Sequence, residues 1–79
     1  MTTHADYLRD LGLEMKLRAL EARRERDAAR EGSEDRLFHS GRLMAFNEVV
    51  SMMQQQAEAF GIPVTDLQLG DIEPDRDLI

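Results

Sequence analysis

Between Leu43 and Phe60, the apolar positions Leu43, Phe46, Val50, Met53, Ala57 and Phe60 alternate spacings of three and four without a break. A period of about 3.5 keeps one stripe of a helix against a neighbour. The pattern predicts a helix over about 34–60, with Val49 widening the stripe. Upstream, at roughly 100° per residue, Tyr7, Leu8, Leu11, Met15, Ala19 and Ala22 fall in one arc about 120° wide. That predicts a first helix over about 4–30. Thr3 is its expected N-cap, with Asp6 three residues on as in a capping box.

Between the two patterns, Gly32 suits a left-handed helix end and Ser33 suits the next N-cap, followed by acidic Glu34 and Asp35. So short a connection makes the helices antiparallel neighbours. Phe60-Gly61 and Pro63 end the second helix. In the remaining residues, 61–79, Thr65 and Gln68 predict one short turn over Asp66–Leu69, with Gly70 and Pro74 interrupting any helix beyond it. Ile62, Val64, Leu67, Leu69 and Ile72 are apolar enough to fold back on the helices, and Leu78 and Ile79 could join them.

Each helix also carries apolar residues outside its main stripe. Leu13, Leu17 and Leu20 lie nearly opposite the first arc, and Phe38, Ala45, Met52 and Ala59 lie off the seam of the second helix. A two-helix hairpin covers one stripe per helix, so these residues call for another layer. The expected fold is therefore all-α: one domain over 1–79, an antiparallel hairpin with a short C-terminal turn and tail, dimerising into a four-helix bundle.

Composition sharpens this. A chain of 79 residues without cysteine buries a small core and has no disulfide to supplement it. Charged residues make up 33% of the chain, yet Leu43 to Ala57 holds only Glu48. Charge depletion with Met, Phe and Gln retained is the composition of an interface core, and Met44, Met52 and Met53 are adaptable packing groups. The expected interface comprises the seam together with Met44, Met52, Leu13, Leu17 and Leu20. The net charge of −6 is uneven, at −2 over residues 1–15, +2 over 16–42 and −6 over 43–79.

Candidate chemistry is sparse. His39 lies four residues after Asp35, a spacing at which a metal could bridge one helix face. An ion pair at a helix start is the commoner use of that spacing. The di-iron Glu-x-x-His motif is missing, because Arg36 stands three residues before His39. His4 lies at the start of the first helix. With no cysteine nucleophile and no glycine-rich phosphate loop, the expectation is no enzyme, no cofactor, no metal and no small-molecule substrate.

The basic segment "KLRALEARRERDAAR" supplies Arg18, Arg23, Arg24, Arg26 and Arg30 as contacts for an alternative, RNA- or DNA-binding function. Glu21, Glu25 and Asp27 interleave with them, as in ordinary intrahelical pairing. The inferred architecture is similar to that of the Rop-type RNA-binding hairpins, whose dimer reads RNA on one helical face; the likeness is of architecture alone. Separately, Ala57 to Leu67, "AEAFGIPVTDL", resembles the centre of a phage-repressor helix-turn-helix. It departs from that pattern at Met53, where those proteins carry Gln, and in the acidic, Gly70-broken segment after it.

A third function class is an acidic inhibitor or immunity-type protein that masks a basic site through Asp66, Asp71, Glu73, Asp75 and Asp77. The polar face of the second helix (Asn47, Ser51, Gln54, Gln55, Glu58) lacks the basic residues of a membrane-surface helix. Without a leader-like or spanning apolar run, the expected location is the cytoplasm. The leading expectation is a self-associating protein–protein interaction or regulatory module, a homodimer that also contacts a protein partner.

Overall fold

The connection between the helices is built as its residues require. Gly32 takes a left-handed φ of +81°, Ser33 N–H donates to the Arg30 carbonyl at 3.0 Å, and Ser33 Oγ accepts from Arg36 N–H at 3.1 Å. Arg36 Nη1 reaches back to the Ala29 carbonyl at 3.3 Å, occupying an acceptor left open at the end of the first helix. The computed structural model describes residues 3–79. In it α1 spans Thr3–Ala28 and α2 spans Glu34–Ala59, packed against each other as a hairpin. No strand occurs among the described residues. Helix α1 ends two residues before the expected Arg30, because the turn through Gly32 begins at Ala29.

The core is small. Ala19 and Ala22 of α1 meet Leu43, Val50 and Ala57 of α2, with Met15, Leu20, Phe46 and Met53 packed around them. Its remaining buried members, Leu67, Leu69, Ile72 and Leu78, come from the tail. The tail is thus a third layer that runs back along the hairpin. It comprises a 3₁₀ turn over Val64–Leu67 and a single helical turn, α3, over Pro74–Asp77.

Both tail elements differ from their expected form. The 3₁₀ turn starts two residues early, with Pro63 ahead of it and no side-chain cap, so Thr65 lies inside the turn. Gln68 closes it in a left-handed conformation, φ +59°. Pro74 begins α3 where a break was expected, since the fixed φ of proline suits the first helical position.

One glycine positions this layer. A Cβ on Gly12 would collide with the Leu67 carbonyl oxygen, so α1 lacks a side chain there to let the 3₁₀ turn lie against its backbone. The molecule measures 46 × 21 × 16 Å, with a Cα radius of gyration of 13.8 Å. A compact chain of this length would have about 11.6 Å. The hairpin is therefore elongated and has more surface to cover than its own tail can reach.

Candidate interaction surface

At 100° per residue, α2 presents three longitudinal strips, and each meets a different environment. The first, Leu43, Phe46, Val50, Met53 and Ala57, faces α1. Leu43, Val50 and Ala57 are buried, and Phe46 and Met53 are half-buried. Phe60, expected to continue this seam, is instead 77% exposed. The helix ends at Ala59, and Gly61, at φ +69°, turns the chain away before the ring can enter the core.

The second strip is Asn47, Ser51 and Gln54, and its partner is the tail. Gln54 Nε2 donates to the carbonyls of Leu69 (3.1 Å) and Ile72 (2.8 Å). Asn47 Nδ2 donates to the carbonyls of Pro74 (3.0 Å) and Leu78 (3.1 Å). Ser51 Oγ donates to Asn47 Oδ1 at 3.4 Å, which helps orient the amide. Two carboxamides thus bond four backbone carbonyls of the tail, of which that of Pro74 also accepts from Leu78 N–H at 2.9 Å.

Helix α1 completes the clasp. Lys16 Nζ bonds Asp71 at 3.0 Å and Arg23 Nη1 donates to the Asp77 carbonyl at 3.0 Å. With its amide oriented by the network, Gln68 accepts from Arg9 Nε at 3.0 Å. The Lys16 ammonium holds the Asp71 carboxyl below its ordinary value. Asp77 is lowered further, by Arg76 and by the Glu73 N–H. Much of the acidic tail's charge is therefore committed within the chain.

The third strip lies opposite the tail. Phe38, Arg42, Ala45, Val49, Met52, Gln56 and Ala59 succeed one another at spacings of four and three without a break. None of them is buried, Met52 is 54% exposed, and no charged residue belongs to the strip between Ala45 and Ala59. Beside it, between α1 and α2, runs a groove of about 380 Å³. Leu8, Leu11 and Met15 form one wall, Val49, Met52 and Phe60 the other, and buried Ala57 and Leu67 the floor. Among the described residues, Gln56 is the only polar one lining it. Tyr7, in the first turns of α1, is also 65% exposed.

Towards the hairpin loop the same face becomes polar. Glu25 Oε2 lies 3.3 Å from His39 Nε2 and 3.4 Å from Arg42 Nη1, and Arg42 Nη1 lies 3.2 Å from His39 Nδ1. Arginine can only donate, so this geometry places the histidine proton on Nε2, towards Glu25. Phe38 contacts the His39 ring edge-on, and Arg42 sits 5.9 Å above the Phe46 ring. His39 thus pairs across the hairpin with Glu25 rather than along its helix with Asp35. Among the described residues no cluster of three or more His, Asp or Glu is placed to hold a metal.

The other expected contacts are dispersed. Leu20 packs on the core, whereas Leu13 and Leu17 stay 36% and 49% exposed on the back of α1. Met44 is exposed beside Leu78 and Ile79. Of the arginines, Arg18 pairs with Glu14, Arg26 with Asp27, and Arg23 holds the tail. Arg24 is exposed on α1 and Arg30 lies in the connection after it, so the five share no single face. No helix among the described residues is long and apolar enough to cross a membrane.

Sequence reasoning missed the roles of Gly12, Asn47 and Gln54. The signals were a lone glycine in a strong helical pattern, and polar residues at i and i+7 in a helix short of charge. No known protein family, curated protein or solved structure matches the chain.

Proposed function

We propose that this protein is a self-associating helical interaction module, working through the face of the hairpin that its own tail leaves open. The observation that carries this reading is the apolar groove of Leu8, Leu11, Met15, Val49, Met52 and Phe60, continuous with the uncharged strip of α2. Contiguous exposed apolar surface of this kind marks an interaction site on a small soluble chain. The tail supplies the second layer on one side only; on the other, Ala45, Met52, Gln56 and Ala59 of the third strip stay exposed. Nucleic-acid binding has no comparable feature among the described residues, since the candidate arginines are dispersed over α1 and the connection after it and three of them have partners in the chain.

Sedimentation of the wild type and of Met52→Glu at micromolar concentration tests the reading. The wild type is expected at a multiple of 9.0 kDa. A glutamate in the groove wall should weaken association at least about tenfold, roughly 1.4 kcal/mol, with the helical circular dichroism unchanged. A wild type that sediments as a monomer throughout would refute it.

A further inference from the structure

Resting on that reading, we infer that the occupant of the open face is a second copy of this chain, with the two α2 helices packed antiparallel and Val49 of one beside Met52 of the other. Three observations lead there. The first is area. The chain exposes 5682 Å² at 9.0 kDa. A compact monomer of that mass exposes about 4,850 Å². The excess of roughly 800 Å² is what one partner contributes to a standard-size interface.

The second is charge. Two chains of −6 repel, and the strip from Ala45 to Ala59 is uncharged, so there a self-complementary contact forms without opposing like charges. The ends of the hairpin set the direction. In its open half, Asp6, Asp10, Glu14, Glu48, Glu58 and Asp66 against Arg9 leave −5, while residues 16–46, at +2, lie beside the tail's Asp71, Glu73, Asp75, Asp77 and Arg76 and total −1 with them. An antiparallel pair lays each strongly acidic half along a nearly neutral half and opposes the helix dipoles, whereas a parallel pair stacks the two acidic halves on each other.

The third is register. In an antiparallel seam with three-four spacing, each layer joins one position of each type, so the helices match in steps of one heptad. Centring the pair between Val50 and Ser51 sets Val49 beside Met52, Ala45 beside Gln56, and Arg42 beside Ala59 at the rim. The two largest apolar groups of the uncharged strip then fill the middle, and Glu48 flanks the neutral Gln55 of the other chain. A shift of one heptad towards the loop would instead bring two Glu48 side chains near each other and bury Arg42 against Met52.

Cysteine pairs read this arrangement directly, because the chain has none of its own. Ala45 and Gln56 are both exposed, so cysteine there leaves the hairpin core intact. Under mild oxidation, Ala45→Cys/Gln56→Cys is expected to run as a covalent dimer on a non-reducing gel. Ala45→Cys alone stays uncrosslinked, its two copies lying eleven residues apart along antiparallel helices, about 16 Å. Sedimentation of the same proteins under reducing conditions separates the two ways of failing. A dimer that does not crosslink through the 45/56 pair, or that crosslinks through Ala45→Cys alone, overturns the antiparallel register and leaves self-association standing. A monomer at every concentration overturns both.

Discussion

Gly12 shows how a single residue is decided by its surroundings rather than by its helix. By intrinsic propensity, Gly12→Ala should stabilise α1 by about 1 kcal/mol. Because the added Cβ meets the Leu67 carbonyl, the substitution is instead expected to cost about 1–3 kcal/mol, as overpacking does, with urea unfolding as the measurement. A stabilised variant would mean the 3₁₀ turn does not rest on α1 there. Gln54 offers a second test. Gln54→Ala strips donors from the Leu69 and Ile72 carbonyls and should cost about 1–3 kcal/mol, with faster amide exchange confined first to residues 69–73. Neither role can be read from a period. Gly12 sits among apolar neighbours of α1, and its meaning appears only once residue 67 is brought beside it. The seam residues Leu43, Val50 and Ala57, by contrast, are legible from spacing alone, because an amphipathic stripe states which side is buried without saying by what.

At the scale of elements, the two long helices were readable because capping, turn and periodicity signals agree along the chain. The tail was readable only as apolar and foldable. Its backbone is held by side chains of α1 and α2 from 15 to 54 residues earlier, as with Gln54 and Leu69 or Arg23 and Asp77. The same contacts predict how the tail responds to acid. Asp71 and Asp77 have folded pKa values below the ordinary 3.8, so folding favours their charged forms. Their contribution is full above that value and is lost as pH falls through the lowered ones. Tail amides should therefore lose protection below about pH 4, ahead of those in the hairpin core, as tracked by hydrogen exchange or NMR. Lys16→Met should abolish the part of this acid dependence that Asp71 carries. Unchanged tail protection down to pH 2 would contradict the ion-pair clasp.

Viewed whole, the molecule divides into a face closed by its own tail and a face left open. The scarcity of charge between Leu43 and Ala57 falls on three sides of α2: a core with α1, a polar clamp on the tail, and an uncharged strip whose Ala45, Met52 and Gln56 are exposed. Two seams should consequently behave differently under mutation. Val50→Asp places an unpaired charge in the core and should cost several kcal/mol, about 3–5, unfolding the chain with loss of helical signal. Met52→Glu, on the open strip, should leave each hairpin folded and act on association alone. Sedimentation velocity of the wild-type chain across a micromolar dilution series tests the central claim most directly. A self-associating hairpin gives a species of twice 9.0 kDa that yields to a single chain on dilution; a folded species of 9.0 kDa at every concentration would rule self-association out.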